Sequence, residues 1–343
     1  MKLIARFLVI RVLVAVPVVL GILFFTFMLI RIGNQDPVAM LAGPGADAPM
    51  LAMIRGQLDL DRPLLDQFIT YVGRLLRGDL GVSWQGSRAV LDEIIDHFPI
   101  TLELVVLAVG LAALVGVPVG LRAAFRPNAG FDQVTRVGAL AGFSVPTYWL
   151  GLMAIFVFFY LLRWAPAPMG RIGLDVTAPA VMTGSLLIDS FIAGTRSGEW
   201  AALRSAAAQL VLPVLCFMLV AMAPIIKQTR AIAIEIMGSD YIRHARACGF
   251  SHATLRRMAL RNALAPVLTF LGTEITSLLA AASLIEYIFA WGGLGQWGLN
   301  AILLGDFAVV QGYVLTLALF SVAVFLVVDL IVMLLEPRAH FRS

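Results

Sequence analysis

Six long apolar stretches constrain the fold of this chain more than any other sequence feature. They occupy residues 12–30, 101–121, 138–162, 209–226, 264–288 and 310–335. A bilayer core about 30 Å thick needs about 20 apolar residues in helical form, because unpaired backbone groups cannot face lipid. Hydrophobic residues make up 60% of the chain, well above the level of ordinary soluble domains. We therefore predict an all-α integral membrane protein with six transmembrane helices.

The distribution of Lys and Arg predicts how these helices are oriented. Basic residues gather at the N-terminus, after the second stretch, after the fourth stretch and at the C-terminus. Apart from the long basic segment after the fourth stretch, these residues are Lys2, Arg6, Arg11, Arg122, Arg126, Arg136, Arg338 and Arg342. The positive-inside rule places such loops in the cytoplasm, so both termini are predicted to be cytoplasmic. A cleaved signal peptide is the alternative for the first stretch, but its apolar part is too long and no small-residue cleavage site follows promptly.

Two longer segments, residues 32–98 and 163–208, are then expected on the outer side. The first leans acidic and includes residues 61–81, where Pro63 and Gly78 bound an apolar pattern with helical spacing. The apolar positions are Leu64, Leu65, Phe68, Ile69, Val72, Leu75 and Leu76. This pattern predicts an amphipathic helix that lies on the outer face of the membrane domain.

Pairs of glycines predict close packing between helices. Gly116 and Gly120 lie one turn apart in the second stretch, and Gly138 and Gly142 repeat that spacing in the third. Small residues four positions apart let helices approach closely in lipid, where no hydrophobic drive brings helices together.

Residue types and spacings exclude several common functional sites. Cys216 and Cys248 form no CxxC pair, and the four scattered histidines show no metal-binding spacing. Neither Lys2 nor Lys227 follows the glycine pattern of a phosphate-binding P-loop. No nucleophile elbow or Ser/His pairing indicates a hydrolase. We predict no catalytic residue, no metal site and no cofactor on this chain.

The segment GGLGQWG matches the GxGxxG pattern with Gly293, Gly295 and Gly298. A dinucleotide site would need a strand before this pattern and a helix after it, whereas here it follows a membrane helix on the predicted outer side. We interpret it as a turn, with Trp291 and Trp297 at the membrane interface.

Four acidic residues in or near the apolar stretches are candidates for ion coupling, because burial of a carboxylate in a membrane is costly. Glu103 and Glu286 fall near the outer ends of their stretches, where water is expected to reach them. Glu274 and Asp329 lie deeper. A proton-coupled secondary transporter that uses Glu274 and works without ATPases therefore stays open as the alternative function.

The most ordered polar segment is basic and surrounds Gly249. Five arginines lie within it, Arg243, Arg246, Arg256, Arg257 and Arg261. The positive-inside rule and attraction to anionic lipid both account for positive charge, and a segment this short shows no nucleic-acid recognition module. Each of these explanations accounts for the positive charge, but none requires the residues to follow one particular order. The order therefore indicates a specific local structure.

Cap and stop residues in this segment predict two helices joined by a glycine. Ser239 is expected to cap a short helix with Tyr241, Ala245 and Cys248 on one face, and Gly249 is expected to end it in the left-handed conformation. Ser251 is expected to cap a second helix, which passes Pro266 and enters the fifth apolar stretch. One face of this second helix should carry Leu255, Met258, Ala259 and Asn262, and another should carry Arg256, Arg257 and Arg261.

This segment resembles the cytoplasmic EAA loop of permease subunits in binding-protein-dependent ABC importers of the dipeptide, oligopeptide and nickel group. The residues that carry the likeness are Tyr241, Ala245, Gly249, Arg261, Asn262, Ala263, Leu264 and Pro266. Further segments are similar to that group in the same order along nearly the whole chain, including LDLDRPLLDQFITYVGRLLRGDLGVS, FPITLELVVLA, FSVPTYWLG, TGSLLIDSFIAG and WGGLGQWGLNAILLGDFAVVQG.

The resemblance implies a transport subunit of the bacterial inner membrane that is not itself an enzyme. It implies a first helix with an outer amphipathic segment in residues 1–98, and a core permease domain of five helices in residues 99–343. The implied partners are membrane lipid, a second homologous permease, an external solute-binding protein and two cytoplasmic ATPases, which would hold ATP and Mg. No nucleic acid is implied.

The resemblance also implies that residues 227–263 couple the pathway to the ATPases. The implied coupling residues are Tyr241, Arg243, His244, Ala245, Arg246, Gly249, Arg261, Asn262 and Pro266. Where the general motif has Glu-Ala-Ala, this chain has Arg243, His244 and Ala245, so the glutamate contact of the wider superfamily cannot be transferred. The transported solute, among dipeptides, oligopeptides, nickel chelates, glutathione and peptide antibiotics, is left open, as are the pore-lining residues and the partner permease.

Overall fold

The computed structural model describes residues 2–32, 38, 47–57 and 62–335, and within these ranges the helices are joined by turns and loops that contain one isolated bridge, between Val82 and Ala89. The helices are α1 (Lys2–Ile32), α2 (Ala48–Gln57), α3 (Leu64–Leu75), α4 (Val90–Ala124), α5 (Gly130–Ser144), α6 (Thr147–Ala154), α7 (Leu186–Ser197), α8 (Ala201–Gly238), α9 (Asp240–Ala247), α10 (His252–Ile288), α11 (Leu294–Leu304) and α12 (Phe307–Leu335). A π-helical segment, Ile155–Leu161, continues α6.

Five of these helices are long and apolar enough to cross a membrane. Their candidate spans are Val9–Arg31, Val90–Ala124, Ala201–Gly238, His252–Ile288 and Phe307–Leu335. A sixth span results if α5 and the helix Thr147–Leu161 count as one. The prediction of an all-α membrane protein is confirmed on length and composition, and the orientation of its termini stays a prediction.

The third apolar stretch is not the single helix that the sequence predicts. α5 and the helix Thr147–Leu161 meet at an angle of 92°. Val145 is extended between them, and Pro146 precedes the first residue of α6. A residue before proline avoids the helical conformation, so the helix breaks there. Both helices are apolar, so the hydropathy of the sequence does not change at the bend and does not reveal it.

The chain folds as two compact units. The first comprises Met1–Phe98 and Gln296–Val322, and the second comprises Pro99–Gly295 and Ala323–Ser343. In the first unit, α3 packs on α1 through a cluster of Leu23, Phe27 and Tyr71. The ring of Phe68 meets the Phe27 ring edge-on, with 5.6 Å between centroids. Such aromatic pairs add to the stabilisation from area burial alone.

The helix α3 occupies the segment in which the amphipathic helix was predicted, but its apolar residues do not share one environment. Phe68, Val72 and Leu75 pack against the cluster on α1. Leu64, Leu65, Ile69 and Leu76 are exposed, and the polar Gln67 is buried in their place. The helix therefore carries two apolar faces where the sequence pattern predicted one. The location of α3 on the outer side stays a prediction.

A loop before α4 is fastened by carboxylates within the first unit. Asp306 is buried and accepts hydrogen bonds from the Ser83 hydroxyl and the Trp84 amide, each at 2.8 Å. The Trp297 indole N–H donates to Glu93 at 3.0 Å. Several donors satisfy the charge of Asp306, which burial would otherwise penalise.

The GGLGQWG segment differs from the predicted turn. Only its first part is a turn, because α11 begins at Leu294. Trp291 is 2% exposed, so the predicted placement of this side chain at the membrane interface is wrong. The glycines are explained by packing, since a Cβ at Gly295 would lie 2.6 Å from the Ser283 nitrogen.

Glu286 in the second unit is fully buried, which contradicts the prediction that water reaches it. Its carboxylate accepts a hydrogen bond from the Thr101 hydroxyl, which in turn accepts one from the Leu294 amide at 2.7 Å. Gly293 leaves room for this arrangement, because any side chain there would overlap Glu286 and Thr101. The network joins helices that are remote in sequence. The position of Glu286 near the end of its apolar stretch therefore could not reveal that the side chain is buried.

Glu103 is partly buried and binds the N-terminus of α7. It accepts hydrogen bonds from the Ser185 hydroxyl at 2.9 Å and from the Leu187 amide at 3.1 Å. The free amides and the positive dipole end of a helix favour a carboxylate there. Near this helix N-terminus, burial raises the pKa of the Asp189 carboxyl, but hydrogen bonds from Thr183 and Met182 lower that pKa by more, and the net pKa shift is downward.

Close helix packing at one glycine pair is confirmed. A Cβ at Gly120 would lie 2.7 Å from the Ile226 carbonyl oxygen, and one at Gly116 would lie 3.0 Å from the Ile225 side chain. α4 therefore packs on α8 nearly backbone to backbone. The second predicted pair does not behave in this way, because a Cβ at Gly138 would meet no atom within 4 Å.

Candidate functional site in the basic loop

The basic loop is built from continuous helices. α8 does not stop at residue 226 but runs to Gly238, so the first part of the predicted loop 227–263 is an extension of a membrane helix. α9 (Asp240–Ala247) follows, and α10 then runs unbroken from His252 to Ile288. Pro266 lies inside α10, as the predicted passage from loop to span requires. α9 is therefore held between two helices that each reach a candidate membrane span.

A small apolar core fixes α9 against its neighbours. Ile242, Ala245 and Leu255 are buried together, with Met237 and Met258 packed around them. Ile242 is fully buried, while Tyr241 is exposed. The buried face of α9 is therefore Ile242 and Ala245 rather than the predicted Tyr241, Ala245 and Cys248. Ile242 precedes Ala245 by three residues, a helical spacing that is consistent with one shared buried face.

The predicted faces of the second helix are largely confirmed. Leu255 and Ala259 are buried and Met258 is partly buried. Arg256, Arg257 and Arg261 are exposed on the other side. Asn262 differs from the prediction, because its side chain is exposed and donates a hydrogen bond to the Tyr241 hydroxyl at 2.6 Å. This bond ties α9 to α10 at the surface of the loop.

Gly249 forms the predicted elbow. Its φ is +81°, a conformation that L-amino acids with a side chain rarely adopt. The Gly249 amide donates to the Arg246 carbonyl at 3.1 Å, and the Phe250 amide donates to the Ala245 carbonyl at 3.2 Å. This pair of bonds is a Schellman motif, which satisfies the last carbonyls of α9. The elbow sets the direction in which the chain leaves α9 and enters α10.

The two predicted serine caps have different outcomes. The Ser251 hydroxyl accepts a hydrogen bond from the Thr254 amide at 3.2 Å, which confirms it as the cap of α10. Ser239 occupies the cap position of α9, but its hydroxyl donates to the Ile236 carbonyl at 2.5 Å and does not cap α9. The Ile236 carbonyl lies in the last turn of α8, where carbonyls lack regular helical partners, and it accepts from both the amide and the hydroxyl of Ser239.

Replacement of the two serines by alanine should separate these roles. Ser251→Ala removes the acceptor for the first turn of α10 and is expected to weaken that turn by about 1 kcal/mol, or about fivefold in the opening equilibrium. Hydrogen exchange at the Thr254 amide measures this change. Ser239→Ala should leave exchange in the first turn of α9 nearly unchanged, and an equal acceleration there would contradict the assignment.

The charged residues of the loop point away from its apolar core. Arg243 pairs with Asp240 on the surface, where both side chains are mostly exposed, so the pair contributes little stability. Arg246 and Arg261 are also exposed, and the His244 ring lies 3.7 Å from the Cys248 sulfur. These groups are therefore available to a soluble partner.

One arginine of the loop contacts the preceding loop. The Arg256 guanidinium lies over the Phe125 ring, 5.2 Å from its centroid, a cation–π geometry. Phe125 follows α4 and is remote from the basic segment along the chain, so no sequence pattern predicts this pair. The contact adds a lateral support to the base of α10.

Comparison with known proteins identifies similar chains over nearly the full length. The family model described as binding-protein-dependent transport system inner membrane component matches residues 116–341. A second model, described as the N-terminal part of a binding-protein-dependent transport system membrane component, matches residues 4–105.

Several curated relatives match nearly the whole chain. A protein named dipeptide transport system permease protein DppB from Escherichia coli K12 is 37% identical over 98% of this chain and 99% of its own length. A di/tripeptide transport system permease protein DppB from Pseudomonas aeruginosa is 38% identical over 95% and 96%. A probable D,D-dipeptide transport system permease protein DdpB from E. coli K12 is 38% identical over 94% and 93%.

Proposed function

The chain belongs to the family of binding-protein-dependent transport system inner membrane components, and we propose that it forms half of the translocation pathway of an ATP-binding-cassette importer for peptides. It is a multi-pass protein of the inner membrane. The observation that carries the peptide assignment is the match to dipeptide transport permeases over 98% of the chain. Di- and oligopeptides are the proposed solutes.

The partners follow from the division of labour in such a system. A second homologous permease completes the pathway, an external solute-binding protein delivers the peptide, and two cytoplasmic ATPases bind ATP and Mg. The chain itself carries out no catalysis in this proposal and needs no cofactor of its own. Both termini and the basic loop face the cytoplasm, where the excess of Lys and Arg favours them.

The proposed coupling element is α9 with its elbow. Its exposed face offers Tyr241, Arg243, His244 and Arg246 to an ATPase, while Ile242 and Ala245 hold the helix to α10. Because α8 and α10 are continuous, a displacement of α9 reaches the membrane spans without an intervening flexible segment. ATP-driven closure of the ATPases can then switch the pathway between its inward-facing and outward-facing states.

The proton-coupled alternative would require no ATPase. The family matches are to binding-protein-dependent transport components. The two candidate functions predict different subunits in the purified protein, because only the importer requires ATPases. The permease, extracted from its own host in mild detergent, is expected to carry ATPase subunits. A particle with proton-driven uptake and no ATPase would instead support the alternative.

The exposed thiol of Cys248 provides a test of the docking surface. Cys248 is exposed beside the elbow, whereas Cys216 is buried in α8, so a maleimide should label Cys248 alone in the isolated permease. Bound ATPases are expected to slow this labelling at least tenfold, because α9 lies in their cleft. A Cys216→Ser variant should behave in the same way. Equal labelling rates in the isolated permease and the full complex would contradict docking at this surface.

A further inference from the structure

A cleft of about 790 Å³ opens in the second unit among α5, α8 and α10. Its apolar wall includes Leu140, Phe143, Ala223 and Phe270. Its polar lining includes Arg136, Lys227, Arg230 and Glu274. This volume lies within the range of small-molecule sites, which combine apolar walls with a few placed polar groups. The cleft shares Lys227 and Arg230 with the predicted loop 227–263, but α9 contributes none of its described lining residues, and the family matches assign the cleft no role.

Opposite charges line this cleft without pairing. Arg230 is engaged by Asp132 in a bidentate ion pair. Lys227 and Glu274, in contrast, form no hydrogen bond or ion pair with any residue that the structure describes. Arg136 is a further exposed cation, and its charge stabilises the Asp132 carboxylate by long-range electrostatic attraction. One ammonium and one carboxylate therefore line the same cavity, and no group in the described part of the chain neutralises either.

The position of Glu274 makes this lack of a partner informative. Glu274 lies on α10 two turns beyond Val267, inside a candidate membrane span, and is only partly exposed. A carboxylate within a membrane segment is costly and normally faces a polar cavity or a partner. A helix-packing role would not require the charge. A ligand that brings a positive group into the cleft would compensate it.

A peptide with free ends carries both of the required charges. Its α-ammonium group complements Glu274, its terminal carboxylate complements Lys227, and its side chains can lie on the apolar wall without specific contacts. An acid or an amine with a single charge would leave one of the two protein groups uncompensated. Electrostatic complementarity of this kind selects between ligands more strongly than it raises affinity.

We propose that this cleft binds the peptide in transit, with Glu274 at its α-ammonium group and Lys227 at its terminal carboxylate. The proposal rests on the proposed function and extends it from a solute class to a site. Sequence variation among peptide side chains is tolerated, because only the two ends make charged contacts. α9 and the cleft then have separate roles, with ATPase coupling at α9 and solute contact at the cleft.

Ligand-detected NMR titration of the permease complex, purified without binding protein and without nucleotide, tests the two contacts separately. The probes are dialanine, N-acetyl-dialanine and dialanine amide. Glu274→Gln is expected to weaken dialanine about tenfold and to leave N-acetyl-dialanine unchanged, since that ligand has no ammonium group. Lys227→Gln should weaken dialanine about tenfold and leave dialanine amide unchanged.

Controls exclude a general effect of lost charge. Glu199→Gln and Arg126→Gln alter exposed residues outside the cleft and should leave all three affinities unchanged. The inference is wrong if wild-type complex binds none of the probes, or if each variant weakens all three equally. A complex that imports dipeptides with ATP yet gives either result would retain the proposed function and lose only this site.

Discussion

Replacement of Gly249 by valine is expected to leave insertion and abundance of the protein intact but to lower ATP-driven peptide uptake about a hundredfold. Gly249 has a φ of +81°, and a side chain in the left-handed region costs about 1–2 kcal/mol, with the penalty highest for β-branched residues. To relieve the strain the chain must give up the Schellman bonds of Gly249 and Phe250, each worth about 1 kcal/mol. The elbow would then no longer hold α9 in one direction.

The measurement is the number of peptides imported per ATP hydrolysed in proteoliposomes. Uptake should fall while ATP hydrolysis continues, because the ATPases keep their own sites. Gly249→Asn is the matched control, since asparagine tolerates this conformation better than other side chains. A Cβ at this position would meet no atom within 4 Å, so side-chain bulk itself causes no clash. Normal uptake by the valine variant would contradict the coupling role of the elbow.

Removal of Arg230 is expected to destabilise the second unit by about 3–5 kcal/mol, because it leaves a buried carboxylate without a counter-charge. Asp132 is fully buried and accepts bonds from Arg230 at 2.5 and 2.8 Å, together with one from the Asn128 amide at 2.9 Å. Arg230→Met keeps much of the side-chain volume and removes the charge. The free energy of unfolding in mixed detergent micelles measures the loss.

Two further variants identify the cause of that loss. Asp132→Leu combined with Arg230→Met removes both charges and should recover most of the stability, since apolar replacement of a buried pair is often neutral. Arg88→Met breaks an ion pair with Asp96 in which both side chains are 56% exposed, and no measurable change is expected. A double variant as unstable as Arg230→Met would show that packing rather than charge holds α5 to α8.

The parts of the fold that the sequence predicted are those that depend on local chemistry or on the bilayer. The apolar stretches have the length that a membrane imposes, so their helices were recognisable without any tertiary information. Gly249 and Ser251 mark helix ends through bonds within a few residues, and both were identified correctly. Gly120 was recognised because close approach in lipid favours small residues at helical spacing.

Features that depend on remote partners were missed. Glu286 is satisfied by Thr101, 185 positions away along the chain, so its burial left no local trace. The buried face of α9 is set by Leu255 on the next helix, which selects Ile242 over Tyr241. The cleft around Glu274 requires faces of three helices at once. The bend of 92° before Pro146 was not predicted, because the apolar pattern of residues 138–162 continues on both sides of it.

The central claim is that this permease passes peptides inward when ATPases act on its basic loop. Uptake of radiolabelled dialanine by proteoliposomes that contain the permease, its partner permease, the ATPases and the binding protein tests it most directly. We predict uptake that requires ATP, this chain and an intact elbow at Gly249, and that persists when a protonophore dissipates the proton gradient. Uptake that needs no ATPase and stops with the protonophore would contradict the claim.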